Sequence, residues 1–546
     1  MDPGAGAAAP DLGPLRDGGL ARARARLWGE RRPPLPLLLT GLVAGAGASL
    51  PAIYLVIVVA GDPGAAWEAV ASSRTVATVL RTAGLTAAVA VTAVAVGVPL
   101  AWLVTRTDLP GRRAWATLTA LPLVIPSYIG AYLLVSVLGP AGLARDLLGV
   151  DRLPAIYGFF GAWLALSLFT YPLVLLSVRA ALARLDPQIE DAARTMGRSR
   201  RQTFTSVILP QLWPAITAGA LLVALYVISD FGAVSIMKFN SFTREIYVES
   251  QTSFDRTGAA ALAFLLVVLV LGLLAAYAWI RGSLRYHRAG PGSARPARIV
   301  PLGRWKPLAV ALCALVTLVA LVLPVGVLVY WATKGIGELD ASSLATNAGN
   351  SLLAAGGAAL LAAVLAVAVA VLSVRFPSPL SRLVERFGYA GYALPGIVVA
   401  LALVFFGTRV ALPLYQTLAM LIFALTIHYL PLAVGSIRSS LLQVSPRVEE
   451  AARGMGRTPV QVFRTITTPL VAGGIAAGTA LVFLHALKEL PATLLLAPIG
   501  FETLALDIWR QTSAGFFEAV AIPALLLLAV AAPPLWWLTG RSEPAP

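Results

Sequence analysis

Cysteine occurs once in 546 residues, at Cys313, which excludes an internal disulfide and any cysteine-built metal cluster. Charge is scarce too. Asp, Glu, Lys and Arg make up 12% of the chain against 58% apolar residues, and the mean hydropathy is +0.81. Such values describe a polytopic membrane protein and exclude an ordinary soluble domain. Of three histidines, His428 and His485 fall on apolar helices at no metal-ligand spacing and read as core or pore-lining residues, while His287 lies in a basic linker. The chain has no GxxxxGK[ST] loop to cradle nucleotide phosphates, no activated-nucleophile motif and no metal-ligand cluster. Neither ATP hydrolysis nor any other catalysis, and no bound cofactor or metal, is expected of this chain.

What is present is apolar sequence in spanning lengths, about 20 residues per bilayer crossing. The predicted class is all-α, with about twelve transmembrane helices near 37–60, 76–105, 114–138, 156–180, 211–237, 259–281, 307–333, 347–374, 387–408, 414–437, 470–492 and 516–539. Residues 1–36 read as a basic cytoplasmic tail and 37–281 as a first transmembrane domain. Residues 282–306 then form a cytoplasmic linker, 307–540 a second transmembrane domain, and 541–546 a cytoplasmic end. The 42 Lys and Arg residues outnumber the 26 Asp and Glu, for a net charge of +16. With the N-terminus inside, 31 of the 42 fall in cytoplasmic segments, so the positive-inside rule places both termini in the cytoplasm. The charge therefore reports topology, and the expected surroundings are a lipid bilayer, with no nucleic acid. The run ARARARLWGERRPP ahead of the first span reads as an uncleaved arm resting on anionic lipid.

The two sets of six spans are copies of one another. EDAARTMGRSRRQTFTSVILP (190–210) matches EEAARGMGRTPVQVFRTITTP (449–469) at an offset of 259 residues, which also pairs Pro172 with Pro431 and Phe242 with Phe501. Upstream, Pro126 pairs with Pro395 at an offset of 269. The ten-residue difference is expected to enlarge the outer loop around Arg145 to Pro154. An even number of spans per copy gives two parallel halves about an axis along the membrane normal, with a pathway between them.

The best-matched segment is cytoplasmic and polar, between the fourth and fifth spans of each half. On a helix Glu190, Ala193 and Gly197 share one face, as do Glu449, Ala452 and Gly456. Small residues there permit close approach to another surface, and glycine permits a turn into a second short helix. One copy alone is compatible with an amphipathic pair resting on the membrane; two copies at equivalent places ask for a shared function. These segments resemble the EAA-then-Gly signature of the fused membrane subunits of bacterial ATP-binding-cassette importers, reading EDAARTMG and EEAARGMG here. The resemblance, which runs from about residue 37 to the end, implies the type I importer permease fold. It also implies a coupling helix in each half that docks in a groove of a separate ATPase. Carried over, the coupling positions are Glu190, Asp191, Ala192, Ala193, Arg194 and Gly197, with Glu449, Glu450, Ala451, Ala452, Arg453 and Gly456. Met196 and Met455 read as packing residues for that groove or the spans. Implied partners are two ABC ATPase subunits, which use ATP and Mg, and an extracytoplasmic substrate-binding protein.

SDFGAVSIMKFNSFTREIY (229–247), KELPATLLLAPIGFETLA (488–505) and YALPGIVVALALVFFG (392–407) look like phrases of ferric-iron importer permeases, with a departure at Ala497, where arginine is usual. Permeases for thiamine, polyamines, sulfate and phosphonates share the general arrangement, so these cargoes stand as alternatives to Fe(III). From another class, an ion-gradient-driven secondary transporter also has two parallel six-span halves. Asp230 and Glu489 occupy matching positions at the outer end of the fifth span. Two readings stay open: paired carboxylates in a pathway for a hard, oxygen-seeking cation, or interface residues with Lys488 neutralising Glu489. Pro126 and Pro395 are expected to kink or break the third span of each half, for gating or for packing.

Overall fold

The computed structural model describes residues 33–140, 142–149, 156–185, 187–252, 257–282, 299–338 and 340–540. The basic N-terminal arm, most of the linker, the tip of the enlarged outer loop and the C-terminal end lie outside the described residues. Within them the chain is helical, with no strand and a single isolated bridge between Thr107 and Val300. Among the described residues eleven helical stretches are long and apolar enough to cross a membrane, and a shorter apolar one, Gly396–Arg409, stands where a twelfth is expected.

The principal helices of the first half are α1 (Leu35–Gly61), α2 (Ser73–Arg106), α3 (Ser127–Leu138), α4 (Phe159–Leu182), α5 (Pro187–Thr195), α6 (Leu209–Ser229), α7 (Gly232–Ile236), α8 (Phe242–Thr252) and α9 (Thr257–Gly282). Those of the second are α10 (Lys306–Thr317), α11 (Leu323–Gly335), α12 (Ala341–Arg375), α13 (Pro379–Ala393), α14 (Gly396–Arg409), α15 (Leu418–Gln443), α16 (Pro446–Gly454), α17 (Thr468–Leu487), α18 (Pro491–Leu496), α19 (Leu504–Ala514) and α20 (Phe517–Gly540). From α2 and α12 onward the two series run in the same order, except that α13 stands where the first half has the shorter helix Arg112–Leu118 and a separate 3-10 turn, Leu121–Val124.

The spans expected at 114–138 and 387–408 are each interrupted. Pro126 and Pro395 stand as N-caps of α3 and α14, with φ −59° and ψ 145° in one and φ −56° and ψ 145° in the other. An extended proline cannot continue a helix, and a new one starts behind it. At 14 residues α14 is only about 21 Å long, short of the roughly 30 Å hydrocarbon core. The span expected over 211–237 also stops early, at Ser229, and a short helix resumes at Gly232.

The chain divides into two compact units. The smaller comprises residues 1–50, 360–391 and 429–482. Its core is Val371, Leu441 and Val471, with Leu37, Phe376, Phe463 and Ile475 packed around them. The larger comprises 51–359, 392–428 and 483–546, and its core runs from Leu85 and Tyr132 through Phe169 and Val223 to Ile508 and Leu527.

One packing device is repeated inside the units. In the larger, a Cβ on Gly219 of α6 would lie 2.8 Å from the Cα of Val174 in α4; in the smaller, a Cβ on Gly478 of α17 would lie 2.9 Å from the Cα of Ala433 in α15. Glycine lets these helix backbones touch, the usual solution where lipid supplies no hydrophobic drive between helices. Gly219→Leu should therefore force α4 and α6 apart, at a cost of about 1–3 kcal/mol. The check is thermal unfolding in detergent, with Gly272→Leu, whose Cβ would meet nothing within 4 Å, as the variant expected to unfold like the parent.

Candidate functional site: coupling helices and buried carboxylates

The matched polar segments build the same structure twice. Helices α5 and α16 begin with proline at their first turns, carry Glu190 and Glu449 there, and end with Arg194 and Arg453, in the sense the helix dipole favours. Gly197 and Gly456 follow with φ of +83° and +85°, a left-handed conformation costly for any residue with a Cβ. Around Gly197, its N–H donates to the Arg194 carbonyl at 2.9 Å and the Arg198 N–H to the Ala193 carbonyl at 3.2 Å. Gly456 and Arg457 repeat the pair to Arg453 and Ala452 at the same distances. Each helix thus closes in a Schellman motif. A reciprocal capping box then starts the next helix, Ser199 with Gln202 and Thr458 with Gln461. Arg198 donates to Ser206 Oγ at 2.5 Å and Arg457 to Thr465 Oγ1 at 2.6 Å, bracing the turn. A π-helical segment, Phe204–Ile208 or Phe463–Thr467, leads into α6 or α17.

Burial sorts the motif residues into two faces. Glu190, Ala193, Glu449 and Ala452 are all 5% exposed or less and face the protein. The outward face carries Ile189, Asp191, Ala192 and Met196 in one half, and Val448, Glu450, Ala451, Arg453 and Met455 in the other. Met196 and Met455 are 72% and 75% exposed, unusual for so apolar a side chain and apt for a partner's groove.

The inward carboxylates meet arginines that sequence reasoning counted only as markers of the cytoplasmic side. Glu190 accepts from the Nη2 of Arg106, the last residue of α2, and Arg194 Nη2 lies 3.5 Å away. Glu449 accepts from Nε of Arg375, the last residue of α12, at 3.0 Å and from Thr467 Oγ1 at 3.1 Å, with Arg453 at 3.7 Å. Arg375 also donates to the Val444 carbonyl at 3.0 Å. Arg106 is 1% exposed, stands 5.8 Å from the ring centroid of Trp102, and leaves Nε and Nη1 without hydrogen-bond partners. The available signal was the repeat itself, since Arg106 and Arg375 are 269 residues apart, the offset of Pro126 and Pro395.

The end of the linker lies on the same station of the first half. Val300 N–H donates to the Arg106 carbonyl at 2.7 Å and Asp108 N–H to the Val300 carbonyl at 3.3 Å. The Asp108 carboxylate accepts from Leu302 N–H at 2.8 Å and pairs with Lys306 Nζ at 2.8 Å. Lys306 first and the Leu302 amide second hold the Asp108 carboxyl below its ordinary value.

The second pair of carboxylates sits at the breaks after α6 and α17. Asp230 is buried, accepts from the Ser127 hydroxyl at the start of α3, and accepts the Ala233 and Val234 amides of α7 at 3.0 and 3.3 Å. Its own carbonyl takes the Thr243 hydroxyl at 2.5 Å. Asp230 thereby ties α3, α7 and α8 together. Glu489 brings its carboxylate against Gly396 at the start of α14, into the space a Cβ there would take, and His428 Nε2 approaches the same glycine. Lys488 is close enough for its charge and that of Glu489 to act on each other. Both acids therefore stand at helix starts made by Pro126 and Pro395, where the dipole favours negative charge. No group of three or more His, Cys, Asp or Glu suited to a metal occurs among the described residues.

The fold is thus two matching helical series of membrane-spanning length, each with a braced polar helix at the same place between its spans. The chain belongs to the family described as binding-protein-dependent transport system inner membrane component, which it matches over residues 93–286 and again over 358–539. It is 32% identical over 514 residues to the Fe(3+)-transport system permease protein FbpB 2 of Haemophilus influenzae, covering 93% of this chain and 98% of that protein. Sulfate transport system permease protein CysT of Escherichia coli is 32% identical over 184 residues, 33% of this chain and 66% of its own. Molybdenum transport system permease protein ModB of the same species is 32% identical over 202 residues, 36% and 87%. The chain is thus a multi-pass inner-membrane permease of an ABC importer, a non-enzymatic subunit that works with separate ATPases and a binding protein. Membership sets aside the gradient-driven transporter.

Because the folded-state value of Asp108 is lowered, its contribution is present above the ordinary aspartate range and is lost as pH falls through the lowered value. At neutral pH the clasp is complete, and Asp108→Asn should open it. Hydrogen exchange should then quicken at Val300 and Leu302 while amides inside α2 stay protected.

Proposed function

We propose that this permease imports Fe(III), delivered by an extracytoplasmic binding protein and moved by alternating access that two ATPase subunits drive from the cytoplasm, where both termini lie. The observation that carries the cargo reading is likeness to an Fe(3+) permease along 93% of the chain, whereas the sulfate and molybdenum permeases match about a third. Those shorter matches support a second reading, an oxyanion cargo. Two braced helices, one per half, support one ATPase on each, with the outward faces of α5 and α16 as docking surfaces and ATP and Mg held by the partners. Gly197 and Gly456 turn each helix back toward the membrane, so that a displacement of the docked helix reaches α6 or α17. Asp230, Glu489 and Lys488, at helix starts made by Pro126 and Pro395, fit the frame of a gated pathway better than a cation cage, because Asp230 already accepts three hydrogen bonds.

Two measurements test this. Reconstituted with its ATPase and candidate binding proteins, the chain should hydrolyse ATP faster with Fe(III)-loaded protein than with sulfate- or molybdate-loaded protein; the reverse order would install the oxyanion reading. Gly197→Val with Gly456→Val should leave the spans folded and uncouple hydrolysis from uptake. Undiminished uptake per ATP in that double variant would remove the coupling role.

A further inference from the structure

The carboxylate of each EAA helix is turned into the protein. In the larger unit Glu190 is 4% exposed and held by Arg106, and in the smaller Glu449 is 5% exposed and held by Arg375. Both arginines are the last residues of the second long helix of their half, 84 and 74 positions from their acids. A buried ion pair is a stiff, short-range link, since separating it leaves two desolvated charges. Along α5 and α16 the remaining cation near each acid, Arg194 or Arg453, stands at 3.5 or 3.7 Å, while the α2 and α12 arginines make direct hydrogen bonds.

We propose that Arg106 and Arg375 are positioning residues of the transport cycle. Each fastens the coupling helix of its half to the cytoplasmic end of α2 or α12, so a displacement of that helix is delivered to two membrane helices: through the glycine turn to α6 or α17, and through the buried pair to α2 or α12. Glu190 and Glu449 act inside the permease, and the docking surface is the opposite face, with Met196 and Met455. This rests on the reading of α5 and α16 as ATPase-coupling helices.

The test uses the full chain with its ATPase subunits and Fe(III)-loaded binding protein in proteoliposomes, reading ATPase retained on the purified chain and uptake per ATP hydrolysed. Arg106→Gln and Arg375→Gln should retain the ATPase but lose uptake per ATP by about tenfold or more, while Arg106→Lys and Arg375→Lys recover much of it. The paired variants R106Q/E190Q and R375Q/E449Q bury no orphan charge, so they remain readable if the single changes misfold, and they should be equally uncoupled. Parental uptake per ATP in the paired variants would show that the pairs serve folding alone and would overturn the proposal. So would loss of ATPase from E190Q and E449Q alongside normal transport by R106Q and R375Q, which would make the carboxylates subunit contacts. If the parent chain neither retains ATPase nor responds to loaded binding protein, the coupling reading itself has failed, and the proposal falls with it.

Discussion

A carboxylate taken out of water must be met by a cation and by hydrogen bonds, or it gives up its charge. That constraint organises the end of each half that carries the repeated motif. A helix as polar as Pro187–Thr195 or Pro446–Gly454 has little apolar surface with which to bind itself to the spans. It is held where it is because Glu190 and Glu449 have to face Arg106 and Arg375. With the acids committed inward, the helical period decides the rest: residues one before and six after each acid point away, which leaves Ile189 with Met196, and Val448 with Met455, exposed. An apolar outer face on a charged helix is thus a consequence of the buried pair.

The same economy shapes the turns beside these helices. Schellman closures, capping boxes and the Arg198 and Arg457 braces give the backbone and side chains of the turn hydrogen-bond partners, which opposes fraying there. A rigid element joined to the spans at two points transmits a push; a frayed one absorbs it. The π-helical segments at Phe204–Ile208 and Phe463–Thr467, repeated at the same offset, are the places where the ladder leading into α6 and α17 departs from α-helical pairing.

Much of this was legible in the sequence, for a physical reason. Spanning helices answer to length and apolarity and a duplicated motif to direct matching, and both are local properties of the chain. The unread features depend on what meets what in space. Pro126 and Pro395 were visible, but a proline inside an apolar run reads equally as a kink or as a new beginning, and only the backbone shows the second. Asp230 and Glu489 matched by offset, yet one caps a short helix with one oxygen and takes the Ser127 hydroxyl with the other, while Glu489 lies against Gly396, a difference their shared position hides. Arg106 and Arg375 looked like two more positive charges on the inner side. Their partners lie beyond two intervening spans, and only the shared 269-residue offset set them apart from their neighbours.

The two stations also differ in ways that duplication alone does not produce. In the second half the acid has an extra donor in Thr467 and its arginine has the Val444 carbonyl, so the pair is nearly saturated. In the first half Ile208 stands where Thr467 would be, and Arg106 keeps two nitrogens without partners. What the first half has instead is the linker, clasped to Arg106 and Asp108 through Val300, Leu302 and Lys306. An arginine that is both fully buried and under-bonded is costly to hold in place, and a backbone clasp on the same residue is a means of holding it. The linker thus adds a restraint on the first station that the second does not receive from it. The halves thus share a plan and divide its stabilisation differently: side-chain saturation in one, covalent continuity in the other.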